Sequence, residues 1–229
     1  MCYKLKTILE QFSLERCGER ECLTSDNALT ALQNPPVEFQ SVAKSILNGY
    51  FLVRSGNESV CVHPTCVEIY YHEEQENGVK DPIVYHRNRK KKKGIQDTPA
   101  VFKIGVLHNH VSGIDITFEK EANSTNTNIT GVVRASALIR EFEVKDDKGQ
   151  IIREEKHPTY LYQALFGQFS ILDGGFSIMW VDGQEADFDN IELKWGVRKN
   201  VVEYQNNGYD YEKKPNKIQD KREWKFWKK

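Results

Sequence analysis

Apolar positions recur with a helical period in two early stretches and with a strand period over most of the chain after residue 50. Leu5, Ile8, Leu9 and Phe12 form one stripe of a helix predicted over residues 3–16. A polar stretch from Cys17 to Asn34 ends at Pro35-Pro36, a clear break. A second helix is predicted from Val37 to Leu47, packing Val37, Val42, Ile46 and Leu47, with Asn48-Gly49 as its end. Tyr50–Arg54, Ser55-Gly56-Asn57 and Ser59–Val62 read as a hairpin, and Cys66–His72 as a further strand. Val101–Leu107 and Ile114–Glu119 are expected to be strands around a loop, His108–Gly113. Gly131–Lys145 is a long apolar segment carrying Arg134 and Arg140, turned by Asp146–Gly149 into Gln150–Glu154. Pro158–Phe166 reads as a short helix, with Pro at its first position and Gly167 after its end. Phe176–Val181 and Ile191–Val197 are predicted strands, and Trp224–Trp227 a last edge strand. There is no internal repeat. The pattern predicts an α+β domain on an antiparallel sheet, over residues 36–229, preceded by an N-terminal helical extension, residues 1–35.

Composition narrows the class more than the function. With 229 residues, 39% hydrophobic and 28% charged, the chain fits a globular protein with a sizeable core. No apolar run is long enough for a membrane span. The charged N-terminus is unlike a signal peptide, so a cytoplasmic protein is expected, nucleoid-associated in a bacterium or nuclear in a eukaryote. The sequons at Asn57, Asn123 and Asn128 are then not glycosylated, and the five cysteines are reduced. Net charge is −1, giving no general attraction to nucleic acid. Two local clusters depart from this balance: His86–Lys93 and Lys221–Lys229, the second interleaved with aromatics. Such clusters neutralise phosphates, although a lysine run is also an ordinary solvated loop.

The segment from Thr65 to His86 carries the most chemistry. Glu68 lies among Val67, Ile69, Tyr70 and Tyr71, a run that otherwise reads as a buried strand. A carboxylate there costs energy unless it is hydrogen-bonded or used. In an alternating strand Glu68, Tyr70 and His72 share one face and Val67, Ile69 and Tyr71 the other, so the polar set is either a solvated face or a site. The segment closes on a candidate polar gate, Tyr85-His86-Arg87-Asn88. His108-Asn109-His110 matches the His-Asn-His nucleases only in its letters, because in those enzymes the residues are spread over a ββα unit. Cys61, His63 and Cys66 have no structural zinc spacing, and no closed four-ligand set follows, so no bound metal is expected. There is no phosphate-binding glycine loop and no nucleophile elbow.

Taken in order, several segments resemble the alkyladenine (3-methyladenine) DNA glycosylases. Phe39–Arg54 is similar to that family's opening helix and Leu-Val-Arg strand. Cys66-Val-Glu-Ile-Tyr70 resembles its Glu-Thr-Glu-Ala-Tyr motif, and Asp81–His86 the segment ending in a pocket histidine. Gly131-Val-Val-Arg134-Ala is similar to its Leu-Leu-Arg-Ala strand, and Pro158–Leu165 to its Gln-Ala-Leu helix. Gly196-Val197 and Trp224–Trp227 resemble its last strands. The resemblance runs from about Pro36 to the last residues. Departures fall at His108–His110, where the family inserts an aromatic wedge into DNA, and at Gly105, in place of a stacking tyrosine. Asp115 falls near an asparagine that screens bases, and an Arg-Asn-x-x-Met-Phe stretch is missing between Pro99 and Val101.

The resemblance implies a single domain with a curved, mostly antiparallel sheet flanked by a few helices. It implies a monofunctional base-excision enzyme acting on double-stranded DNA as a monomer, without metal or organic cofactor. Glu68 would activate water and Arg134 would orient it; Tyr70, His86 and Asp115 would line a pocket for a flipped alkylated or deaminated purine. His108, Asn109 and His110 would form the wedge loop, and Arg87, Lys90, Lys91, Lys92 and Lys93 would contact phosphates. The alternative is a non-catalytic nucleic-acid or nucleobase binding module on the same fold.

Overall fold

The computed structural model describes residues 4–12, 35–74, 79, 81, 84, 86, 88–90, 96–97, 99–121, 131–167, 169–170, 172, 174–198, 202–204, 217–219 and 223–229. In chain order the elements are α1 (Leu5–Gln11), α2 (Val37–Asn48), β1 (Tyr50–Ser55), β2 (Glu58–Glu73), β3 (Arg89–Lys90), β4 (Gln96–Asp97), β5 (Leu107–His110), β6 (Gly113–Thr117), β7 (Lys120–Glu121) and β8 (Val132–Lys145). Then follow β9 (Ile151–Glu155), a 3-10 turn (Pro158–Tyr160), α3 (Leu161–Phe166), β10 (Ser177–Val181), α4 (Glu185–Asn190), β11 (Leu193–Gly196), β12 (Val202–Tyr204), β13 (Lys217–Gln219) and β14 (Lys225–Lys228).

One curled antiparallel sheet dominates this α+β fold. Its path is β10-β1-β2-β8-β6-β5; β7 and β9 also pair with β8, and β14 joins β2 to β11. Trp224–Trp227 was expected at a sheet edge. Instead β14 has partners on both sides, β2 along Lys225–Trp227 and β11 along Lys225–Lys228, with Phe226 buried in the core. The hairpin strand and the Cys66–His72 strand are one continuous β2, although Pro64 cannot donate to a ladder.

β2 tolerates that proline through paired irregularities. Thr65 has no partner in β8 and Arg140 none in β2, while Pro64 faces Phe142, Cys66 faces Glu141 and Val67 faces Ile139. Each strand therefore carries one extra residue. This shifts the alternation so that Val62, Val67, Ile69 and Tyr71 share the core face with Phe142, Ile139, Ala137 and Ala135.

The helices cover that face. α2 buries Phe39, Val42, Ala43, Ile46 and Leu47, the spacing of one helical stripe. Gly49 ends it beside Trp180, whose ring would lie 2.3 Å from an added Cβ, so no larger residue fits. α1 contributes Leu5 and Leu9, and Phe12 follows it into the core. Phe12 packs on Phe39 at 5.8 Å and edge-on to Phe118 at 4.9 Å; Phe39 meets Trp224 edge-on at 5.0 Å. Residues 5–12 thus share the core of the sheet domain. The opposite face of β2 and β8 is polar and carries the candidate site. No helix among the described residues is long and apolar enough to cross a membrane.

Candidate functional site

Strand alternation sets the site. On β2, Glu68, Tyr70 and His72 point away from the aromatic core, opposite Leu138, Ser136 and Arg134 of β8. β6 adds Asp115 beside Leu138, and β5 adds His108 beside Asp115. Glu68, Arg134, Asp115 and His86 are all buried, so this face is not a solvated surface.

Glu68 is fully buried beside a phenol and a guanidinium. The Tyr70 hydroxyl donates to Oε2 over 3.0 Å, and Arg140 Nε lies 3.7 Å from Oε1. Burial, then the Glu68 charge, raises the Tyr70 pKa well above its usual value, so the phenol remains a donor. Behind the ring, the Arg198 guanidinium lies 4.6 Å from its centre. Arg198 in turn donates to both carboxylate oxygens of Asp81, over 2.6 and 3.3 Å, and to the Ile69 carbonyl. One face of Tyr70 is therefore covered.

Further along β2, the His72 Nδ1 accepts the Asp81 amide and its Nε2 faces Glu74. Burial pushes the Glu74 carboxyl up, but bonds from His72, the Asn88 amide and Arg134 more than offset this and hold it at about 2.

Arg134 shares the face with Glu68 but is engaged elsewhere. It donates to Glu119 over 3.0 Å, to Glu74 over 3.3 Å, and to the carbonyls of Pro99 and Ala100. Its strand position lies four residues, about 13 Å, from that of Glu68. The guanidinium beside Glu68 is that of Arg140. Glu119 also contacts His86, so Arg134, Glu119 and His86 form one buried cluster.

His86 leads to a row of imidazoles. Its ring meets Phe102 at 5.3 Å and His108 at 5.1 Å, and His108 meets His110 at 5.6 Å. Burial, then His86, lowers the His108 pKa. His110 Nε2 lies 3.1 Å from Asp115 Oδ1, while Asp115 Oδ2 accepts the Ser136 hydroxyl over 3.0 Å. The Nδ1 atoms of His86 and His108 are buried without a hydrogen-bond partner among the described residues. These atoms are free to meet a polar ligand.

The expected wedge loop is not a loop. His108, Asn109 and His110 form β5, and only Val111 and Ser112 turn the chain. Gly113 makes this possible: its φ is 141°, and a Cβ there would lie 2.9 Å from Leu138 and Pro158. The two imidazoles turn into the polar face, Asn109 is exposed, and the exposed tip residue is Val111, at 79%. Arg87 and Lys91–Lys93 lie outside the described residues, and of Lys90 only its place in β3 is described. The structure adds Glu74, Asp81, Glu119, Arg140 and Arg198 to the site. A buried arginine such as Arg134 requires an acidic partner. Only the fold identifies that partner as Glu119.

No protein-family model matches the chain, and no curated protein matches it significantly.

Proposed function

We propose that the polar face is a hydrolytic site for the N-glycosidic bond of a flipped alkylated or deaminated purine in double-stranded DNA. The observation that carries this reading is the placement of Glu68, a fully buried carboxylate on a sheet face, next to a phenol and a guanidinium. Glu68 takes the proton of the attacking water and offsets the positive charge that develops on the sugar. Tyr70, backed by Arg198, holds the Glu68 carboxylate and offers its uncovered edge to the base. The open Nδ1 atoms of His86 and His108 and the carboxylate of Asp115 meet the base's polar edge. Arg140 tempers the Glu68 charge, and Arg134 holds the 99–100 segment over the face. Arg87 and Lys90–Lys93 supply phosphate contacts for a monomer that needs no organic cofactor.

A second reading, a nucleobase-binding module without catalysis, is favoured by the same contacts. The Glu68 carboxylate already accepts the Tyr70 hydroxyl and faces Arg140, so both of its oxygens are engaged before a water arrives. The test is base release from duplexes carrying alkylated or deaminated purines. The wild-type chain is expected to release base, and Glu68→Gln to lose at least about 100-fold. Binding of the same duplexes without release by either protein would replace the enzyme with the binding module. Neither release nor binding would end both readings.

A further inference from the structure

We propose that His108, His110 and Asp115 form a binding site for a divalent first-row transition-metal ion. One donor atom from each of the three lies within 4.8 Å of the others. The residues sit on the two arms of the β5–β6 hairpin, where Asp115 faces His108 directly and His110 is next along the same face. Sequence spacing alone points to the two histidines; the hairpin register adds the third ligand. A closed four-ligand set was the condition for expecting a metal, but three protein ligands with an open position is the other common arrangement.

The distances suit an ion. Donors bound at 2.0–2.2 Å in a tetrahedral site lie about 3.3–3.6 Å apart. His110 Nε2 and Asp115 Oδ1 are already 3.1 Å apart. The His108 donor lies within 4.8 Å of both, so on that scale it would close by at most about 1.5 Å. Its buried Nδ1 has no hydrogen-bond partner among the described residues to lose. The site is also braced from behind, since the Ser136 hydroxyl bonds Asp115 Oδ2 and leaves Oδ1 turned to the histidine. The side chains of His110 and Asp115 are 8% and 5% exposed, so the ion would be largely shielded. Two imidazoles and one carboxylate favour zinc, ferrous iron or manganese over magnesium or calcium, which take oxygen ligands.

One contact opposes this and sharpens the test. The Ser112 amide donates to His110 Nδ1 over 3.2 Å. That bond places the ring proton on Nε2, facing Asp115. Metal at Nε2 moves the proton to Nδ1 and releases the Ser112 amide to water at the hairpin tip. The cost is about one net hydrogen bond, small beside a metal–imidazole bond. Metal binding therefore changes the chemical environment of the Ser112 amide.

The proposal does not depend on the glycosylase reading, from which it takes His108 and Asp115 as ligands in place of base contacts, and its test contains no base-release step. Purified full-length protein, stripped with a chelator, is titrated with Co²⁺ and followed by visible absorption, with Zn²⁺ as competitor. One equivalent of Co²⁺ is expected to bind and to be displaced by Zn²⁺, but not by Mg²⁺. His110→Ala and Asp115→Asn are expected to weaken binding by more than about 100-fold, beyond the usual loss from an outer-shell change. Circular dichroism confirms that each variant folds. Asn109→Ala and His63→Ala are expected to bind like the wild type. In the amide NMR spectrum, Ser112 shifts on addition of Zn²⁺. The proposal is overturned if the wild type binds no stoichiometric Co²⁺. It is equally overturned if folded His110→Ala and Asp115→Asn bind as tightly as wild type, if His63→Ala alone abolishes binding, or if Ser112 does not shift at saturation.

Discussion

The Tyr70 hydroxyl donates to the Glu68 carboxylate across 3.0 Å within one strand, two residues apart on the same face. This bond joins a buried charge to a ring that is itself fixed from behind by Arg198. Tyr70→Phe keeps the ring and removes the donor. It should cost about 1.5–3 kcal/mol, the range for a hydrogen bond to a charged group. Urea unfolding of the two proteins measures it. A change below a few tenths of a kcal/mol would show that Glu68 does not rely on the phenol.

Arg198 and Asp81 are both fully buried and paired through two hydrogen bonds. Asp81→Ala leaves a buried guanidinium without its carboxylate and should destabilise by about 3–5 kcal/mol. The double change Asp81→Leu with Arg198→Met should recover most of that loss, because it removes both charges. If the double variant is no more stable than the single one, the pair is not the source of the cost.

Leu9 is 1% exposed in the core beside α2. Leu9→Ala should cost about 2–5 kcal/mol, as for other buried leucines. An unchanged urea midpoint would show that residues 5–12 form an appendage.

His63 gives the molecule an acid-sensitive point outside the site. Burial, then Lys145, lowers its pKa from 6.5 to about 4. The folded chain prefers the neutral ring, so this stability is complete above pH 6.5 and is lost as pH falls towards 4. Glu74 adds a second loss at lower pH, from 4.5 down to about 2. Urea midpoints measured across this range should fall in two stages, and His63→Gln should remove the upper one. A variant whose profile matches wild type between pH 6.5 and 4 would contradict the assignment.

Replacing Lys90–Lys93 with Ala should weaken duplex binding about equally for every sequence. The slope of log affinity against log salt should shrink by about 0.9 for each phosphate that is no longer neutralised. Unchanged affinity would remove the main electrostatic support for a DNA-binding role.

Most of the sheet is legible from the sequence because its strands alternate cleanly, as Val67, Ile69 and Tyr71 do against Glu68, Tyr70 and His72. Where a special residue interrupts the pattern, the alternation misleads. Pro64 reads as a break but is absorbed by the bulge at Thr65. His108-Asn109-His110 reads as a loop because polar side chains on a strand normally face water, whereas these imidazoles face a polar interior. Glu68 is recognisable as unusual from its neighbours alone. Its contact with Arg140, and the engagement of Arg134 by Glu119, depend on the register between distant strands, which no local pattern encodes.

The unpaired Thr65 and Arg140 flank the Cys66–Glu141 pair on adjacent strands, and this governs which length changes the gene can tolerate. Deleting Thr65 would close the bulge in β2 and return the strand to plain alternation, with Val62, Val67, Ile69 and Tyr71 still on the core face and Glu68, Tyr70 and His72 still on the polar one. Deleting Arg140 would do the same for β8, keeping Phe142, Ile139 and Ala137 inward, but it would remove the guanidinium beside Glu68. Codon loss at Thr65 therefore spares the site, whereas codon loss at Arg140 keeps the sheet and costs the site a contact.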